Sequence, residues 1–200
     1  MTSYGAAADA GGGPSRDPTE AEMSITEITG NGTGQETTEL LETLAERRQF
    51  FRHTVRNLSH EQVTARHTAS ELTLAGLVKH VSEMEEKWVD FIVEGPSRMA
   101  LPENWQTDPT FWENGWKLLE GETLESTLAH YEKVAAHTEE VVRGLPDLDL
   151  SHPLPEAPWF APGASWSARR VLLHLIGETA QHAGHADIIR ETIDGQKTMG

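Results

Sequence analysis

Toward its C-terminal end the chain reads His174-Leu175-Ile176-Gly177-Glu178-Thr179-Ala180-Gln181-His182-Ala183-Gly184-His185. Wound as a helix at about 100° per residue, positions 174, 178, 182 and 185 fall within an arc of roughly 80°. Three imidazoles and one carboxylate then share a stripe in an otherwise mostly apolar segment. Nitrogen and oxygen donors of this kind suit borderline divalent metals, and i, i+4 spacing lets two side chains reach one ion. Spacing alone leaves the pair open. His174 with Glu178, Glu178 with His182, and His182 with His185 all qualify.

A catalytic metal usually has three protein ligands and an open position. His80 is the candidate third. On a helical projection it lies close to Leu77, Val81, Met84, Trp88 and Phe91, so it points into the protein. A buried imidazole needs a partner, and a metal between facing helices would supply one. The competing explanation is a core histidine with an ordinary hydrogen bond. His53, His60, His67, His130 and His137 sit among charged neighbours and read as solvated, while His152 lies in a proline-rich stretch that could line a pocket mouth.

The elements that must position these groups are helical. An apolar stripe of Leu40, Leu41, Leu44, Phe51, Val55 and Leu58 predicts a first helix from Glu36 to about residue 58. A connection opening at Ser59 follows. A second long helix begins within 70–73 and stops at Glu94, before Gly95-Pro96. Asp108-Pro109 predicts a cap with proline at the first helical position, opening a short helix with Phe111, Trp112 and Trp116. A further long helix runs from Thr123 to Arg143 and ends at Gly144 and Pro146. Residues 145–165 carry five prolines and read as an irregular cover. The last helix starts within 165–167, runs to about Ile193, and is closed by Asp194-Gly195. No strand of convincing alternation is visible. Four long amphipathic helices predict an all-α bundle over residues 36–197. Residues 1–35, which hold seven of the 17 glycines, read as a disordered N-terminal tail.

Composition narrows the function classes. The chain has 200 residues, 37% hydrophobic, enough for one domain with a core. Its formal net charge is −16, from 32 acids against 16 bases. That argues against a nucleic-acid or anionic-membrane partner, both of which need a basic footprint. The absence of cysteine removes disulfides, thiolate ligands and a cysteine nucleophile, so any thiol chemistry needs a thiol co-substrate. No secretory signal or membrane-length apolar run is visible, and a cytoplasmic location is expected.

Two stretches carry a family resemblance: Leu72-Thr73-Leu74-Ala75-Gly76-Leu77-Val78-Lys79-His80-Val81, and residues 171–191 followed by Asp194-Gly195. At this separation the chain resembles the DinB-like (YfiT-like) superfamily over roughly 36–197, and within it an actinobacterial branch of mycothiol-dependent enzymes. The resemblance implies a DinB-like four-helix bundle with long inter-helix loops, a homodimer, and a metal held between helices. Many members present one histidine from the second helix and an H-x-x-x-H pair on the last. Here the pair is Glu178 and His182, similar to mycothiol-dependent maleylpyruvate isomerase, where a His, Glu, His set holds zinc. By that resemblance the metal ligands are His80, Glu178 and His182. Zinc is the first expectation, with nickel and iron as alternatives. His185 and His174 are then the candidate catalytic or supporting histidines. Asp187 and Arg190 read as an internal ion pair or an interface element. The isomerase carries a further C-terminal domain without counterpart in these residues, so maleylpyruvate isomerisation is not the expected activity.

The chemistry implied is metal-dependent activation of a mycothiol-like low-molecular-weight thiol for attack on an electrophilic small molecule, with Trp88, Trp159, Phe160 and Trp166 shaping an apolar cavity. A divalent ion favours the thiolate form of a bound thiol. Other classes share the ligand set. A 2-His-1-carboxylate group also suits a non-haem Fe(II) oxygen-dependent enzyme, and a metal-bound hydroxide suits a hydrolase. A non-catalytic metal or small-molecule binding protein, or a metal-free interaction module, completes the list.

Overall fold

A computed structural model describes residues 18–198, with side chains from residue 34 onward except Pro109. Its long helices are α1 (Pro18–His53), α3 (Leu74–Glu94), α5 (Leu124–Gly144) and α6 (Ala168–Asp194). Short helices α2 (His60–Thr64) and α4 (Pro109–Asn114), and a 3-10 turn over Gly95–Met99, sit in the connections. The all-α four-helix bundle with long loops is therefore present.

Local chemistry explains the boundaries. Thr73 caps α3 by accepting from the Gly76 N–H, and Gly95 ends it at φ 77°. Asp108 caps α4 ahead of Pro109, and Thr123 and Ser126 form a reciprocal box at the start of α5. Ser167 caps α6, and left-handed Gly195 closes it.

Four details differ from the sequence expectation. The backbone of α1 is helical from Pro18, upstream of Glu36; residues 1–17 of the expected tail lie outside the described residues. The same helix stops at His53 rather than near 58, because the Arg190 guanidinium takes the Thr54 and Arg56 carbonyls in the following turn. Ser59 and Gln62 cap each other's backbone and open α2 inside the expected connection. The last connection, between α5 and α6, is not wholly irregular either: β1 (Ser151–Pro153) pairs antiparallel with β2 (Ser165–Ser167), with His152 opposite Trp166. Strands of three residues are too short to show alternation.

Helix α6 packs between α1 and α3, and α5 packs between α3 and α1. Side-chain pairs fix the directions. Glu36, midway along α1, meets Arg169 at the start of α6, and Thr54, just past the end of α1, meets Arg190 near the end of α6, so these two run parallel. Glu86 faces His130 and Asp90 faces His137, so α3 and α5 are parallel as well. The pairs oppose each other, since His80 meets His182 while Trp88 meets His174. The order is up, down, down, up. A parallel neighbour needs a return connection. Residues 95–123 must therefore travel back along α3, about 31 Å for its 21 residues.

The core has two apolar layers. One gathers Leu41, Leu44, Trp88, Ile92, Leu172 and Leu175; the other gathers Phe51, Leu74, Leu77, Val81, Tyr131 and Ile189. Between them lies a buried polar layer. Arg48 donates twice to Glu85, once at 3.0 Å, and Thr138 Oγ1 donates to Glu85 at 2.6 Å.

Candidate metal centre

His80 lies on α3, and Glu178 and His182 lie one turn apart on the antiparallel α6. The antiparallel crossing brings the three together. One donor atom from each lies within 4.8 Å of the others. His182 Nε2 is 3.4 Å from Glu178 Oε2, and the His80 and His182 rings meet edge-on at 5.0 Å. His185 Nδ1 approaches His182 Nδ1 at 3.5 Å, on the side of the ring away from Glu178. His174 Nδ1 lies 4.0 Å from the other carboxylate oxygen of Glu178.

Electrostatics keep the imidazoles neutral. Burial, the neighbouring His182 and Lys87 push His80 down to about 4. Burial also lowers His182 against the opposing pull of Glu178, with His185 adding to the depression. His174 is lowered by burial too, with Glu178 opposing and Arg170 reinforcing. At neutral pH the group therefore offers imidazole lone pairs and a carboxylate. Among the described residues no lysine or arginine pairs with Glu178; its ionisable neighbours are the neutral His174 and His182. Acceptors outnumber donors, and negative charge lacks a fixed cation. That set fits a divalent ion, leaving net +1 from two neutral ligands and one carboxylate.

A loop aromatic completes the site. The Trp116 ring stacks on His80 at 3.6 Å and 14°, and meets His182 edge-on at 5.5 Å. The stack depends on Gly76, one turn before His80. A Cβ there would collide with the Trp116 carbonyl. Beside His80 a cavity of about 390 Å³ opens under the returning connection, walled by Met84, Trp88, Met99, Phe111, Trp112 and Trp116.

Of the aromatics expected around the cavity, Trp88 lines it. Trp166 stacks on Trp88 at 4.6 Å and Phe160 packs edge-on against both, behind the lining. Trp159 instead joins Trp105 and Trp112 in an edge-to-face cluster and is half exposed. Sequence reasoning missed Trp116 and Met84 as site walls. A glycine one turn before a helical histidine was the available signal. His152 does not line this cavity; its Nε2 meets the Ile92 carbonyl at 3.1 Å and pins the end of α3. Arg190 does form an internal ion pair, but with Asp194 at 2.8 Å; Asp187 accepts from the Thr198 N–H instead. The i, i+4 reach and the need to cap α1 select Asp194.

Comparison with known proteins bears on the fold and the family. A crystal structure of a conserved protein from Enterococcus faecalis is similar in fold, with a TM-score of 0.60 and 16% identity over 80% of this chain and 98% of that one. No curated protein matches the sequence. Among the described residues, no helix is long and apolar enough to cross a membrane. The family model for mycothiol-S-transferase matches residues 39–195. That span takes in the last part of α1, the whole of the other three bundle helices and every residue of the site, and the chain belongs to this DinB-like family of mycothiol S-transferases.

Proposed function

We propose that the protein transfers a low-molecular-weight thiol, by family mycothiol, to an electrophilic small molecule, using a divalent ion held by His80, Glu178 and His182. The observation that carries this reading is the acceptor-rich, cation-poor trio beside an apolar cavity. When bound there, zinc would lower the pKa of the incoming thiol and present it as the nucleophilic thiolate.

The chain's own residues do the rest. His182 turns Nε2 toward Glu178 and Nδ1 toward His185, so an Nδ1–H donated to His185 leaves the Nε2 lone pair free. His185 thereby fixes ring and tautomer. His174, neutral beside Glu178, is the proton acceptor for the thiol S–H. In the reaction the S–H proton leaves, a C–S bond forms at the electrophilic carbon, and a leaving group departs with its electron pair. At an activated double bond the proton returns to the adjacent carbon instead. Trp116 and the Trp88 wall exclude water from the thiolate's approach. The reading includes a homodimer. Its support is an exposed, uncharged stripe of Leu173, Gly177, Gly184 and Ile188 on α6, and sedimentation should give twice the chain mass.

Elemental analysis of purified protein beside His80→Ala tests the core of the proposal. About one zinc per chain, lost in the variant, with thiol-dependent turnover, is expected. Stoichiometric metal retained in His80→Ala removes the ligand assignment. Iron in place of zinc moves the assay to oxygen consumption, because the same donor set serves that chemistry.

A further inference from the structure

The cavity beside His80 carries information about what enters it. Its walls are flat rings and thioethers: Trp88, Trp112, Trp116 and Phe111, with Met84 and Met99 between them. Indole faces stack on other π-systems, and methionine sulfur packs well against ring edges. At about 390 Å³ the space falls within the usual range for a small-molecule site.

Its charges are uneven in use. Lys79 is held by Glu122 at 2.7 Å and faces Glu83, the one acid of the lining, at 3.8 Å. Glu83 thus stands one helical turn from Lys79 and one turn from Lys87. Lys87 also lines the cavity, two helical turns beyond His80 on α3; among the described residues it makes no hydrogen bond or contact ion pair, and its charge acts at longer range on Glu83 and His80. Of the two lysines lining the cavity it is the one with no carboxylate in contact. A cation without a contact partner thus stands at one end of an aromatic slot whose other end is His80. Asn114 adds a neutral polar group to the lining.

We infer that the electrophile is a planar, aromatic or similarly conjugated molecule bearing one anionic group, its ring between Trp88, Trp112 and Trp116 and its anion at Lys87. This rests on the thiol-transfer reading for the word electrophile, but the recognition itself requires neither metal nor thiol. The length of the slot sets which carbon faces His80. Lys87 is then a specificity residue.

Two naphthalene dyes test the inference on metal-free, full-length protein without thiol. One is 8-anilinonaphthalene-1-sulfonate; the other is N-phenyl-1-naphthylamine, the same body without the sulfonate. Titration followed by dye emission under tryptophan excitation should show one saturable site that prefers the sulfonate. Lys87→Glu should weaken the sulfonate about tenfold and leave the neutral dye within twofold. Trp112→Ala should weaken both. Both side chains are exposed, Trp112 at 48%, so neither change threatens the fold. The inference is overturned if the neutral dye binds as tightly as the sulfonate, if Lys87→Glu leaves the sulfonate affinity unchanged, or if Trp112→Ala affects neither dye. Metal content of the same preparation separates the two proposals. Dye preference in a protein that takes up no metal keeps the slot and removes thiol transfer; metal uptake without dye preference does the reverse.

Discussion

Two polar clusters of the bundle, one around Glu85 and one around Glu178, are opposites. Around Glu85, Arg48 donates twice and Thr138 once, so the carboxylate has its full complement and its ion pair is closed. Around Glu178, the neighbours are imidazoles held neutral by burial, and no fixed cation answers the carboxylate. They share only α3. The first is a solved hydrogen-bond problem that locks α1, α3 and α5 together. The second, between α3 and α6, offers acceptors with no fixed cation among the described residues, which is what suits it to the proposed ion. Counting donors against acceptors, more than burial or residue type, separates a structural polar core from a site.

The contrast breaks most visibly at Arg48. Arg48→Ala leaves Glu85 buried and uncompensated, and should cost about 3–5 kcal/mol of stability in urea melts. A loss under about 1 kcal/mol would mean that Glu85 is not closed by Arg48. His80→Ala should do the reverse, abolishing metal binding while changing metal-free stability by less than about 1 kcal/mol, since no fixed partner is orphaned. Gly76→Ala forces the Trp116 carbonyl off α3 and should cost about 1–3 kcal/mol. Its sharper signature is loss of the Trp116–His80 stack, read as a change in the His80 imidazole NMR shifts. Unmoved shifts would remove Gly76 from the site. His185→Ala should weaken metal affinity about tenfold to a hundredfold by freeing the His182 ring; a competition titration with a chromogenic chelator measures it.

The smallest effect is the pH response of metal-free protein. His80 falls from an unfolded value near 6.5 to about 4, so the unfolded chain takes the proton first. The contribution is intact above about pH 6.5 and is lost as pH falls toward 4. His80→Phe should flatten that part of the urea-midpoint profile. Identical slopes for the two proteins would show that the ring is not desolvated.

Much of this was legible in the sequence. The stripe of His174, Glu178, His182 and His185 follows from helical periodicity, and His80 from its apolar neighbours. The helix ends were written in Thr73, Asp108-Pro109, Thr123 and Gly195. What stayed hidden depends on contacts distant in sequence. Trp116 stacks on His80 across a loop, and no local pattern encodes that. The Arg190 cap that stops α1 comes from the far end of the chain. The closed state of Glu85 needs partners from two other helices, so its composition alone could not tell it from Glu178.

The returning connection over 95–123 has a consequence for how such a protein can diverge. It has about 31 Å to cover, yet its contour length is roughly 95 Å at about 3.3 Å per residue. The tether is about threefold slack. Residues can be added, removed or exchanged along it without pulling on either helix it joins. On the proposed function, selectivity can therefore drift by insertion and deletion in one strap, while the helices that carry the proposed ion ligands are left mechanically undisturbed.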